Sequence, residues 1–499
     1  MPACENQPLL VLNASEQPIL EAVEAGVQAG GDEGTGAATV VAVSSWQRLR
    51  GRLAPSTLLH AMVHGVMTVA GLTLLAKAVS FFKDADVARR FGISDGLDAF
   101  GLAFGVHAFA SGMLGGGIPS TFLPAYARLQ HEHGPLRAER LALQSAVSHG
   151  FTLLIAGVAI YVCGPGLVEF LGHGFPEPKQ ALALGLMRGL LPFLFCYGMT
   201  MHLSMWLRGN KRFAWAAATP VLTPAAILVA MAMAGRGVSV GTLVWGTNMG
   251  GLLHLLALVL VLARLLPREP GWLAGCGRVV EPGNREVVIH ALPSVISGLV
   301  LGGAPIVDQA MAARLASGSV SVLNYSDKVC GIVLALTASA VAEALVPFFA
   351  EVVARRNWPA LKRQLVHTIG LILVVALPMV ALLCWQAPLI VRLLFQRASF
   401  GADDTQRVAE VLRCACLQIP FYIASLLMSR VVIALQGSWF TLATAVISLT
   451  GNIVFNLILM RWYGVAGIAL STALVYALST LMLTLYLRHA IARHAREDW

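Results

Sequence analysis

The sequence predicts an all-α, polytopic membrane protein of about twelve transmembrane helices, and three observations carry that prediction. Hydrophobic residues make up 57% of the chain and charged residues only 12%. Apolar runs of about 20 residues, enough for a helix to cross ~30 Å of hydrocarbon, recur along most of its length. Weak internal similarity at a spacing of about 225 residues divides those runs into two sets of six. The first two observations exclude a soluble enzyme domain. The net charge of +9 does not point to nucleic acid, because Lys and Arg fall in short clusters between apolar runs rather than in one patch.

Residues 1–45 are rich in Gly, Ala and Glu and carry no Lys or Arg. They have neither the basic start nor the cleavage pattern of a signal peptide, and they read as a disordered cytoplasmic tail. Trp46, Arg48, Arg50 and Arg52 form a basic collar that completes segment 1–55. An N-lobe at 56–263 follows, with spans expected at 57–82, 97–123, 141–163, 183–203, 213–235 and 239–263. Segment 264–287, Pro/Gly-rich and basic, is expected to be a cytoplasmic linker. A C-lobe at 288–488 carries spans at 288–312, 320–349, 365–386, 406–429, 439–460 and 464–487, and 489–499 forms a cytoplasmic tail. Lys and Arg favour one set of connections by roughly two to one, which places both termini in the cytoplasm. The eight cysteines lack metal-ligand spacing and read as packing thiols.

The internal similarity rests on named pairs. Phe122-Leu123-Pro124-Ala125-Tyr126-Ala127 recurs as Leu345-Val346-Pro347-Phe348-Phe349-Ala350, Pro192-Phe193 as Pro420-Phe421, and Leu207-Arg208-Gly209 as Leu435-Gln436-Gly437. An even number of spans per repeat gives both halves one orientation, related by an axis along the membrane normal. Halves of that kind enclose a central cavity.

Charges inside apolar sequence mark the candidate site, since a Lys or Asp near the middle of a span costs roughly 2.5–3.5 kcal/mol on insertion scales. Lys77, Lys83 and Asp84 lie on the first span or its outer end, Asp98 begins the second, and Asp327 and Lys328 lie in the eighth. Lysines facing a cavity suit a phosphate or diphosphate. For Lys83, Asp84, Arg89 and Arg90 the plainer reading is ion pairs or interfacial snorkelling. Snorkelling also accounts for Arg188 and Arg413, packing for His202 and His254, and close helix packing for Gly112 and Gly115–Gly117.

A second polar set lies in the C-lobe. Asp308 is in the seventh span, Asn452 and Asn456 share one face of the eleventh, and Thr472 is in the twelfth. One carboxylate with three neutral oxygens suits a hard monovalent cation; interhelical hydrogen bonding explains the same residues equally well. No phosphate-binding glycine loop, metal-ligand pair or nucleophile elbow occurs, so the chain reads as a transporter and not an enzyme, with no cofactor beyond a coupling ion.

Lys77–Phe104 and the stretch Leu315-Ala316-Ser317-Gly318-Ser319-Val320-Ser321, continued by Asn324-Tyr325-Ser326-Asp327-Lys328, resemble the MurJ (MviN) family. These are lipid II flippases of the multidrug/oligosaccharidyl-lipid/polysaccharide (MOP) exporter superfamily. The resemblance implies a V-shaped pair of six-helix lobes that moves an undecaprenyl-diphosphate-linked saccharide across the bacterial inner membrane by alternating access. It implies that Lys77, Lys83, Asp98 and Lys328 bind substrate, and that Asp308, Asn452, Asn456 and Thr472 hold Na+. The family's paired arginines and glutamate on the second span have no counterpart in Ala110–Gly116, and the chain ends at Trp499, so two further C-terminal helices are expected to be absent. The expected substrate is therefore lipid II or a related exopolysaccharide precursor, with membrane lipids and polysaccharide or cell-wall synthesis proteins as partners. The alternatives are a small-molecule or drug/cation antiporter of the same superfamily and a non-transporting scaffold.

Overall fold

The computed structural model describes residues 55–235, 237–266, 281, 298–300, 302–344, 349, 352–353, 356–435 and 437–497. The expected N-terminal tail, most of the linker, the start of the seventh span and most of the repeat copy at 345–350 lie outside them. Val69–Trp499 forms one compact unit, and the contacts and the cavity described below lie within it.

Among the described residues there are helices and no strands, as the apolar periodicity requires of a chain that must satisfy its own backbone in lipid. In chain order these are α1 (Pro55–Phe91), α2 (Asp95–His133), α3 (Pro135–Leu171), α4 (Glu177–Gly189), α5 (Leu191–Gly209), α6 (Phe213–Ala218) and α7 (Leu222–Ala234). There follow α8 (Val240–Leu265), α9 (Ala304–Ala312), α10 (Ser319–Ala344), α11 (Trp358–Phe395), α12 (Ala402–Cys416), α13 (Ile419–Ala434) and α14 (Ser438–Glu497). Local sequence sets the breaks. Ser94 caps α2 by accepting the Leu97 N–H, and Pro135 opens α3 where its missing N–H costs nothing. Gly464, at φ 55° and ψ −130°, breaks α14 in a conformation that a Cβ would oppose.

Among the described residues, seven helices are long and apolar enough to cross a membrane, or eight if α4 and α5, bent by 45°, are one broken span. The 55-residue stretch Trp439–Arg493 within α14 counts once there. At 1.5 Å per residue it is more than twice the ~30 Å core, and Gly464 divides it into two crossings. With α1, α10 and the short α9, helical segments stand at all twelve expected span positions. The sequence reading ended the first span at 82; α1 continues to Phe91, so Lys83 and Asp84 are helical residues.

From α2 to α8 the helices pack mainly on one another, α2 against α3, α4 and α5, and α8 against α5 and α7. Those from 298 onward do likewise, α12 against α10, α11 and α14, and α13 against α14. Helix α2 reaches across to α9 and α10. Alternate connections collect at one end: the Ser399 N–H donates to the Arg89 carbonyl at 3.1 Å, Arg90 to the Gly235 carbonyl at 2.9 Å, and the Ser317 hydroxyl to Asp95 at 2.6 Å. At the far end of α2, the Tyr126 hydroxyl and Asn210 both donate to Glu139, and Arg137 pairs with Glu281 at 2.8 Å. This alternation is what successive crossings produce.

Candidate functional site

Helices α1, α2, α5, α8, α9 and α10 enclose a cavity of about 1330 Å³. Lys77, Lys83 and Lys328 line it, together with Asp84. Lys77 and Lys83 are six residues apart, about 120° around α1, and flank a broad stripe with Thr73, Ala76, Ser80 and Val87 that borders the cavity. The Lys83 ammonium lies 2.6 Å from Asp84 Oδ1, and Lys328, arriving from α10, lies 2.8 Å from the same oxygen. Lys328 also sits 5.3 Å from the Tyr325 ring centroid. Among the described residues, Lys77 has no carboxylate within ion-pair distance. Arg208 and His254 line the same space. They were missed from sequence, Arg208 because it ends a span beside other loop cations and His254 because it stands alone on an apolar helix.

Asp98 does not line the cavity with the lysines. Its carboxylate is 1% exposed and fully engaged: Oδ2 accepts from Lys179 at 2.8 Å and the Gly318 N–H at 2.7 Å, and Oδ1 from the Ser321 N–H at 2.7 Å and hydroxyl at 2.6 Å. The sequence reading grouped it with substrate contacts. Its place is at the N-terminus of α10, where free N–H groups and the helix dipole receive an anion. Lys179 also bonds Asp95, and the Tyr325 hydroxyl donates to the Gly92 carbonyl at 3.3 Å. These bonds tie α2, α4 and the start of α10 together.

The second polar set is assembled as a unit. Asn452 and Asn456 donate to Asp308 Oδ1 at 3.0 and 2.7 Å, and the Thr472 hydroxyl to Oδ2 at 3.3 Å. Asn452 and Asn456 are 1% and 0% exposed, and Asn456 Oδ1 is buried without a partner. That orphaned oxygen beside a carboxylate and a hydroxyl fits a hard monovalent cation, which Asp308, Asn452, Asn456 and Thr472 would hold.

Of the remaining charges, Arg188 stacks on Tyr161 at 4.9 Å and Arg413 donates to the Cys384 carbonyl at 3.2 Å, both anchoring contacts. His202 is buried 3.1 Å from Ser145 Oγ. His254 differs from the packing role expected of it, since Nε2 has no partner and the ring borders the cavity.

Comparisons with known proteins bear on this arrangement. The family described as "Lipid II flippase MurJ" matches residues 87–499. A "Probable lipid II flippase MurJ" from Rhizobium meliloti is 27% identical over 375 residues, covering 72% of this chain and 68% of that one. The solved structure "Lipid II flippase MurJ, inward closed conformation" superposes with a TM-score of 0.70 at 19% identity, covering 86% of this chain and 90% of that one. The inward-facing conformation of a multidrug resistance MATE family transporter of the MOP superfamily gives 0.69 at 17% identity, covering 86% and 99%.

Proposed function

The chain belongs to the MurJ lipid II flippase family, and on that premise we propose that it flips an undecaprenyl-diphosphate-linked saccharide, lipid II or a close relative, across the bacterial inner membrane. One observation carries the reading: Lys77, Lys83 and Lys328 converge on a single cavity of about 1330 Å³. That exceeds the ~300–1,000 Å³ of drug-sized pockets and accommodates a saccharide head with its diphosphate. Ammonium groups bind phosphoryl oxygens as point charges, and removal from water strengthens the attraction. The polyprenyl tail stays in lipid, where it costs nothing to solvate. Relatives named as lipid II flippases speak against the small-molecule antiporter.

In this reading the Lys/Arg bias puts the Asp98 end outside and the Arg208 end inside. The outer end is latched by Asp98, Lys179, Gly318 and Ser321, so the headgroup enters from the cytoplasm. Alternating access then requires the latch to open while the inner end closes. A cation held by Asp308, Asn452, Asn456 and Thr472 would neutralise the buried carboxylate; these residues themselves tie α9 to both arms of α14 and position that side of the cavity.

The test is replacement of Lys77 and Lys328 by Ala in a strain depleted of its own flippase. Loss of a charge-assisted contact costs about 1.5–3 kcal/mol, ten- to a hundredfold in binding, so complementation should fail at normal protein levels. Full activity in both variants would favour the scaffold instead. Reporter fusions test the orientation. Gly134, Asn210 and Asn357 should report cytoplasm, Gly174 and Gly401 the exterior, and the reverse pattern would invert the direction of flipping.

A further inference from the structure

We propose that the cavity wall built by α2 and α5 is a sugar-binding strip, on which the saccharide of the headgroup lies with its apolar C–H face against four aromatic rings and its polar edge on the amide pair Gln309 and Asn324. This rests on the polyprenyl-diphosphate reading above and gives the sugar a place of its own beside the lysines.

The strip begins in a short repeat of the sequence, Ala99-Phe100-Gly101 followed by Leu102 and then Ala103-Phe104-Gly105. A step of four places Phe100 and Phe104 one turn apart on a single face of α2. Their rings stack at 5.8 Å between centroids, Phe104 continues onto Phe193 of α5 at 5.5 Å, and Phe193 onto Tyr197 at 5.2 Å. Interplanar angles of 17° to 28° make this one continuous run of rings, and all four border the cavity. The two glycines have a separate effect. A Cβ at Gly101 would collide with the Asn324 amide and one at Gly105 with that of Gln309, so their absence lets α10 and α9 bring both amides against α2 beside the rings. Gln309 donates to Asn324 Oδ1 at 3.3 Å, while its own Oε1 is buried without a partner among the described residues. A buried amide oxygen left unpaired is unfavourable, and a ligand that brings a donor satisfies it.

A pyranose has the matching chemistry. Its C–H face packs on aromatic rings, whose faces carry negative charge, and hydroxyl or acetamido groups project from its edge. One N–H or O–H on that edge donates to Gln309 Oε1, and a sugar oxygen accepts from the Asn324 amide. Position along α10 supports the same placement. Asn324 and Lys328 are one turn apart, about 6 Å along the helix, so a sugar on Asn324 is directly linked to a diphosphate on Lys328. A polyprenyl diphosphate without sugar leaves both the rings and the orphaned oxygen unused. The strip should therefore affect only the extra affinity that the sugar adds.

Two probes separate the parts: undecaprenyl diphosphate, and the same lipid bearing one N-acetylhexosamine, each titrated against the full-length protein in nanodiscs. Wild type should bind the sugar-bearing lipid about tenfold or more tighter than the bare one. Phe104→Leu and Gln309→Leu should each cut that advantage by about three- to tenfold while Kd for the bare lipid stays within about twofold, and Phe104→Tyr, which keeps the ring, should retain it. Lys328→Ala should weaken both lipids together by about tenfold or more. Should Phe104→Leu not fold, Tyr197→Leu at the far end of the strip carries the same test. If Lys328→Ala weakens the bare lipid but the sugar adds no affinity, or its advantage survives the ring and Gln309 substitutions, the sugar strip is overturned and the diphosphate site stands. If Lys328→Ala changes Kd for neither lipid, the diphosphate reading is itself overturned, and the strip with it.

Discussion

Asp84 and Asp98 lie on either side of the turn between α1 and α2, and each binds a lysine contributed by another helix. Their surroundings give them different work. Asp98 is 1% exposed and accepts from two main-chain N–H groups, a hydroxyl and Lys179, so both oxygens are saturated by groups that packing fixes in place. Asp84 offers one oxygen to two flexible ammonium groups at the wall of a wide cavity. A carboxylate saturated by backbone is hard to exchange, because every partner would lose its bond at once. One that is held only by mobile cations can be replaced by another anion. Partner type thus sets the two carboxylates apart where the residue type is identical and both are buried.

The largest effect should come from Asp98→Ala. It leaves the Gly318 and Ser321 N–H groups without their acceptor, and breaking a buried pair costs about 3–5 kcal/mol. The melting temperature should fall clearly, and a cysteine introduced at Ser321 should become reactive to an impermeant thiol reagent. An unchanged melting temperature with an unreactive thiol would remove the latch from this comparison.

The next effect sharpens it with two lysines. Lys179→Ala should lower the melting temperature with little direct effect on binding in the cavity, whereas Lys328→Ala should weaken undecaprenyl diphosphate binding tenfold or more with a smaller thermal shift. Identical behaviour of the two variants would collapse the distinction between the two ends.

A third measurement concerns Asp308, which combines features of both aspartates: buried like Asp98, but beside an oxygen, Asn456 Oδ1, that has no partner. If Na+ takes that place, wild type should melt higher in Na+ than in choline at matched ionic strength. A ligand at 100 times its Kd adds about 2.7 kcal/mol. Asp308→Asn should abolish the difference, and equal melting of wild type in both salts would leave the cluster as interhelical hydrogen bonding. The smallest effect is expected at Arg89, whose pair with Asp86 is within one helix and half exposed. Arg89→Ala should change stability by less than about 1 kcal/mol, and a larger loss would show that charge alone at this end carries the latch.

Sequence by itself determined the class of the protein, the twelve segments and the three lysines that line the cavity, because apolar runs long enough to cross lipid and charges inside them are local properties of the chain. It also grouped Asp308, Asn452, Asn456 and Thr472, since two of them lie one helical turn apart and all are polar within apolar spans. Tertiary structure decided the partners of Asp84 and Asp98. The partners of Asp98 come from α4 and from residues 318–321, and Asp84 is bridged by Lys328 on α10, distant positions that no local pattern links to them. Arg208 and His254 likewise became cavity residues only when α5 and α8 were packed. The physical reason is range: hydropathy and helical period act over a few turns, while the pairing of a buried charge is settled by whichever helix the fold brings within about 3 Å of it.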